Sequence, residues 1–401
     1  MRKKWCLFRA TEFQSLMYPC FTICRIFGIF PYKINAATFE YSKRHYIISS
    51  VIVCICCVFV LILIHDIITS KLNFGNEENI DLVMYSTFHS LITVITHVLS
   101  SPRMCLLQNI MEISSKLSSE SYQKLSRLIH AKDILGIIFV TVLIGSFIDR
   151  IKVYQTSYVS LVIIFASYLS MLTFQLNMLY VNCVCVLKAC FKSINDNLIQ
   201  MHRHMINDIK LCGALSICYI QKNQFLLIEL KILKKRHLMV SDTVQRLNTI
   251  FSLQLLITIV MITLDMSFSL YLFAVHWQNG TILISLESDL VEVCILSLGY
   301  DIIIITLLVW TCETGKNQAQ EISATVHDLL NRTNNKQIKN ELHLFSLQIL
   351  HRKNIFSIKG LNVNAELLVT IVGKITTYLV ILVQFLHISH SCDRKTAINV
   401  T

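Results

Sequence analysis

Seven blocks of about twenty residues, each with few or no charges, run through this chain, and each is long enough to cross roughly 30 Å of hydrocarbon as a helix. They fall at 46–66, 81–100, 134–150, 157–187, 251–275, 288–311 and 364–388. The first is the clearest, since Tyr46 to Ile64 carries no charged side chain. His89, His97 and several Thr and Ser dilute the second, which predicts a helix packed within a bundle and facing little lipid. Over the whole chain 54% of residues are hydrophobic and 15% charged, against roughly 25% charged in soluble domains. That balance disfavours a water-soluble enzyme. With 10 Gly and 3 Pro, the chain also lacks the turn residues of an all-β protein. The expected fold is an all-α membrane protein of seven transmembrane helices.

A net charge of +11 would raise nucleic acid as a partner for a soluble domain, so the placement of the 36 Lys and Arg matters. Segments 1–45, 101–133, 188–250 and 312–363 hold thirty of them, the connections at 67–80, 149–156 and 276–287 and the tail after 388 hold five, and Lys374 lies inside the last span. Basic residues resist translocation, which predicts a cytoplasmic N-terminus and an extracellular C-terminus. The chain then divides into a cytoplasmic N-terminal segment 1–45, a cytoplasmic helical segment 188–250, an extracellular loop 276–287, a cytoplasmic anchor segment 312–363 and an extracellular tail 389–401. Lipid is the expected partner of the charge, nucleic acid is not, and the plasma membrane is the expected location. Asn279-Gly280-Thr281 falls in an outer loop, making Asn279 a glycosylation candidate. Asn331-Arg332-Thr333 falls inside and is expected to stay unmodified. Glu12, Gln14 and Arg25 interrupt any signal-peptide core after Met1-Arg2-Lys3-Lys4, leaving the first span as the signal.

Of the 15 Cys, only Cys392 falls in an outward segment, so they read as small apolar packing residues and no disulfide scaffold is expected. His202-Arg203-His204 places its rings on different helix faces, and neither a metal nor another cofactor is expected. With no Walker loop, Gly-rich phosphate turn or His-Glu-x-x-His, enzymatic chemistry has nothing to stand on. Asp149-Arg150 resembles the Asp-Arg pair of rhodopsin-type receptors, but a G-protein-coupled receptor would require the charge bias to be inverted. A secondary transporter would require internal repeats and broken half-helices, whereas all three Pro lie at or before Pro102. Both remain as alternatives.

The inner segments carry helical stripes, Ala319, Ile322, Val326 and Leu330 in one and Ile338, Leu342, Phe345 and Ile349 in the other. Such stripes predict helices below the membrane that pack on extensions of the spans or on a second subunit. Gly360 offers a break before span seven. That span carries Gly373, Lys374, Thr376, Thr377, Tyr378, Gln384 and Phe385, and Lys374, Tyr378, Ile381 and Phe385 fall on one stripe. Polar groups at this depth face a partner helix or water.

Thr377-Tyr378, five hydrophobic residues and Gln384-Phe385 resemble the last-span signature of insect gustatory receptors. The stretch from Leu344 through Gly360 to Leu368, Cys312 with the helix after it, and Tyr18-Pro19 followed by Arg25 to Pro31 are similar to that family as well. The resemblance implies a taste receptor that detects small-molecule tastants as a ligand-gated, poorly selective cation channel. It also implies a homo- or hetero-tetramer with other gustatory receptors, in the dendrites of gustatory neurons, with span seven around the pore. By the same resemblance Gln384 and Phe385 form the gate, Thr377 and Tyr378 hold the helix orientation, and the inner ends of spans four to seven form an anchoring base. Leu379 stands where the main sugar-receptor branch carries Glu, which points to a bitter-type or orphan member. Ligand-binding candidates in the outer half are Asp265, Tyr85, His89, Tyr158, Tyr168, Tyr271, Trp277 and Glu292, with Asp265 foremost because of its depth. Lys374 departs from a cation pore, and snorkelling or pairing with a carboxylate is expected of it, since it sits about 15 Å from the inner end of its helix.

Overall fold

The structure is a computed structural model that describes residues 7–34, 38–71, 76–151, 157–211, 216–278 and 288–398. Helices dominate it: α1 (Phe13–Ile26), α2 (Lys43–Ile68), α3 (Asn76–Val98), α4 (Ser100–Ser114), α5 (Ser119–Ile151), α6 (Ser157–Leu211), α7 (Ser216–Gln278), α8 (Ser288–Arg332), α9 (Lys336–His351) and α10 (Ala365–Ile398). Two small antiparallel hairpins, β1 (Tyr32–Ile34) with β2 (Phe39–Tyr41) and β3 (Ser357–Ile358) with β4 (Leu361–Asn362), complete the described elements. Helices α2, α5, α6, α7, α8 and α10 are long and apolar enough to cross a membrane, and α3 with α4 forms a seventh candidate, bent by 67°. The bend falls at Leu99, and Pro102 sits in the first turn of α4, where its missing N–H removes no helical hydrogen bond.

Helix α1 is more than a leading segment. Phe13, Leu16, Met17, Cys20, Phe21 and Cys24 recur at helical spacing and are all buried, and Phe21 stacks on Phe30 at 4.7 Å and meets Phe39 edge-on at 5.7 Å. One continuous core joins α1 to every later helix except α2 and α3.

Helices α6, α7 and α8 are 55, 63 and 45 residues long, roughly 80, 95 and 70 Å. Helices α6 and α7 run without a break past the ends of their apolar blocks, because no Gly or Pro follows Leu187 in α6 or precedes Phe251 in α7, and α8 continues through Gly315 to Arg332. Ala319, Ile322 and Val326 are buried, with Leu330 half-buried, on the extension of α8. Ile338, Leu342 and Phe345 are likewise buried, with Ile349 half-buried, on α9, which folds back on α7 and α8. The stripes therefore pack within the chain. The Asn335 side chain caps α9 by accepting from the backbone N–H of Gln337 at 2.9 Å and of Ile338 at 3.2 Å, a contact worth about 1 kcal/mol.

Between α9 and α10 the chain makes a two-residue turn in which Lys359 and Gly360 take φ of 45° and 90°. Two consecutive positive φ angles are those of a type I′ hairpin turn, so Gly360 does supply the break expected of it. The hairpin is held by the Phe356 carbonyl, which accepts from Val363 N–H at 3.0 Å, and by Asn248, whose side-chain amide donates to the Ile355 carbonyl at 2.7 Å.

Candidate functional site

Helices α3, α6, α7 and α8 enclose a polar cluster. Asp265 lies thirteen residues before the end of α7 and Asp301 thirteen after the start of α8, so both sit at the same depth, about 20 Å from that end of the bundle. The two carboxyl groups lie within electrostatic reach of each other, and Ser297 Oγ donates to Asp265 Oδ2 at 3.3 Å. Tyr85 stands close by: its hydroxyl donates to the Ala166 carbonyl at 3.2 Å and shares a short hydrogen bond with Ser170. The Tyr85 and His89 ring centroids are 3.9 Å apart, and His89 Nδ1 bonds the Tyr85 carbonyl at 2.8 Å. Tyr300 lies within electrostatic reach of Tyr85 and of both Asp. Asp301 is 1% exposed, and its Oδ2 has no protein partner. Neither do the hydroxyls of Ser86 and Ser90 on α3. Carboxyls at membrane depth are rare and mark functional sites by default.

Three of the residues singled out in the sequence, Tyr85, His89 and Asp265, therefore come together. Tyr158 and Tyr168 belong elsewhere: Tyr158 donates to Asp66 at 2.8 Å near the start of α6, and Tyr168 donates to the Phe27 carbonyl at 2.8 Å, beside a small cavity lined by Gly28, Ser49, Ile52 and His97. Tyr271 is half-buried on α7. The side chains of Trp277, Glu292 and Phe385, and Asn279 altogether, lie outside the described residues. Ser170, Ser297, Tyr300 and Asp301 belong to the cluster without having been singled out. Asp301 carried the same signal as Asp265, a carboxyl inside an apolar block.

The second feature is α10. Leu367, Ile371 and Ile375, one stripe at its start, are buried against α7 and α8. Val369, Val372, Lys374, Tyr378, Val380, Ile381 and Gln384 are all exposed. Thr377 Oγ1 bonds back to the Gly373 carbonyl at 2.8 Å, so its polarity is satisfied within the helix. Lys374 is exposed and has no carboxylate partner among the described residues, so of the two arrangements expected of it, pairing within the subunit is not seen. His202 lies 3.6 Å from Asp328, and no metal-binding group of side chains occurs among the described residues.

Residues 17–386 match the profile described as 7tm chemosensory receptor. Local matches to Drosophila melanogaster proteins reach 42% identity over 76 residues with gustatory receptor 28b, 35% over 100 with gustatory receptor 28a and 58% over 48 with gustatory receptor 2a. They cover 18%, 25% and 12% of this chain, and only 16%, 22% and 11% of the length of those receptors. The fold as a whole matches the insect olfactory receptor OR5 of Machilis hrabei in complex with eugenol, with a TM-score of 0.66 and 14% identity over 93% of this chain and 98% of that one. A second structure of OR5 matches with the same TM-score at 12% identity. Such low identity establishes the architecture alone, whereas the profile covers most of the sequence. The chain belongs to the 7tm chemosensory receptor family, whose insect gustatory members are its relatives.

Proposed function

We propose that the chain is a gustatory receptor that detects small-molecule tastants as a ligand-gated, non-selective cation channel in the plasma membrane of gustatory neuron dendrites, bitter-type or orphan in its ligand class. The observation that carries this reading is the face of α10. A helix of a finished monomer buries its polar stripe, but here, among the described side chains, the fully buried ones are the apolar Leu367, Ile371 and Ile375, and Lys374, Tyr378 and Gln384 face outward. Four copies arranged with α10 around a common axis would cover that face and line a pore with it, Gln384 and Phe385 forming the gate. Thr377 and Tyr378 orient the helix. The extensions of α6 to α8, together with α9, form an anchor on the cytoplasmic side, in keeping with the concentration of basic residues there. The tastant binds at the buried cluster of Tyr85, His89, Asp265 and Asp301, toward the extracellular end. Ligand affinity that differs between the closed and open arrangements of α10 supplies the bias to open.

Whole-cell recording of cells expressing the chain, alone and with gustatory receptor partners, against a tastant panel tests this. Gln384→Ala is expected to change basal or evoked current. Wild-type-like currents in Gln384→Ala would remove it from the gate, and an N-terminal tag that stains intact cells would overturn the topology.

A further inference from the structure

Arg103, near the start of α4, is 4% exposed, and its guanidinium stays charged at any physiological pH. Elsewhere half-buried cations pair with carboxylates, Lys132 with Asp133 and Lys234 with Glu341. Arg103 has none. The titratable groups within reach of it are the Tyr32 hydroxyl and the Cys24 and Cys183 thiols, all neutral at their ordinary pKa values. The Tyr32 hydroxyl is already committed to the Ser100 carbonyl. Arg103 Nη2 donates to Gln254 Oε1 at 2.5 Å, and the guanidinium carbon lies 4.7 Å from the centroid of the Phe251 ring. Nε and Nη1 of Arg103 and Nε2 of Gln254 are buried with no partner.

We propose that this junction of α1, β1, α4, α6 and α7 binds a small inorganic anion of the size of chloride. The unpartnered nitrogens are donors only, and those of Arg103 open on different edges of the guanidinium, so the ligand that suits the site is an acceptor seated on one edge, beside Gln254 with which Arg103 is already in contact. Water would satisfy the N–H groups and leave a buried positive charge uncompensated, and the face of Phe251 replaces only part of the lost hydration. An anion does both. Burial of Arg103 to 4% exposure favours a monatomic ion over a lipid phosphate. An ion held here ties α4, just past the 67° bend, to α7, the helix on which α10 rests.

The test is thermal unfolding of the purified full-length receptor in nanodiscs of neutral lipid, with chloride replacing gluconate at constant ionic strength. Chloride is expected to give a saturable rise in Tm of roughly 2 °C or more. Gln254→Glu puts a carboxylate beside Arg103 in place of the ion, and is expected to abolish the chloride dependence while keeping the protein folded. Arg103→Gln is expected to abolish it too, and Lys374→Gln to retain it. A wild-type Tm that ignores chloride, or a chloride rise undiminished in Gln254→Glu, overturns the proposal. So does stabilisation by anionic lipid alone, which would assign the junction to a lipid headgroup.

Discussion

Gly315, on α8, is where the packing under the β3–β4 hairpin can be tested most directly. A Cβ added there would stand 2.9 Å from Cε2 and 3.3 Å from Cζ of Phe356, and 3.4 Å from Cγ1 of Val184. Carbon atoms pack at about 3.5–4.0 Å, so the ring must yield by about 0.5 Å. It has nowhere to go: Phe356 is 1% exposed, its carbonyl holds Val363, and Asn248 holds the carbonyl of Ile355. Overpacking of this kind costs about 1–3 kcal/mol, whereas replacing Gly by Ala in a helix gains about 1 kcal/mol. The net for Gly315→Ala is a loss of about 1 kcal/mol, a fall in Tm of roughly 1–4 °C, readable by thermal unfolding of the purified receptor. Phe356→Leu vacates the contested space, so the double variant should lose less than the two single losses combined. Gly373→Ala on α10 meets no atom within 4 Å, so only the helical gain of about 1 kcal/mol remains and the variant should be at least as stable as the wild type. A Tm for Gly315→Ala at or above wild type, or simple additivity with Phe356→Leu, would refute the reasoning.

Lys374→Met bears on the pore: if Lys374 lines the cation path, its removal should raise conductance, and unchanged current and selectivity would take it off the pore wall. Asp301→Asn and Asp265→Asn keep the size of the carboxyl pair and remove its charge, and each is expected to shift the tastant dose–response by tenfold or more; unaltered responses in both would separate the cluster from ligand binding. His237, buried against Phe191 and Phe345 with Gln348 and Asn354 on its ring nitrogens, has its pKa pushed down by burial from 6.5 to about 4. The unfolded chain therefore binds the extra proton between those values, and the stability present above pH 6.5 should fall as the pH drops toward 4, by about 3 kcal/mol in all. Unfolding scans across that range should show a flatter pH dependence in His237→Gln, and an equal slope would refute the assignment.

The apolar blocks marked the membrane helices because hydrocarbon demands length and apolarity together, and Gly360 marked the break before α10, though not the hairpin that makes it, because its backbone requirement is local. Where helices end was harder to read. Hydropathy stops at Leu187 and near Thr311, but a helix does not end where apolarity does: α6 continues through Leu211 and α8 to Arg332. The burial of α1 was legible in the spacing of Phe13, Leu16, Met17, Cys20, Phe21 and Cys24, although Arg25 and Glu12 masked it as a cytoplasmic leader. Asp301 and Arg103 could be seen only as charges in unexpected company. That Asp301 meets Asp265, and that Arg103 meets no carboxylate, depends on how α4, α7 and α8 pack, which no periodicity along a single helix encodes.

The outward face of α10 bears on the life of a subunit before it finds others. A lone copy in a bilayer turns Lys374, Thr376, Tyr378 and Gln384 toward lipid, and a lysine at the hydrocarbon centre carries an insertion penalty of roughly 2.5–3.5 kcal/mol unless it reaches the interface. Under the assembly proposed above, the solitary chain is the strained species, and association relieves it by removing polar groups from oil.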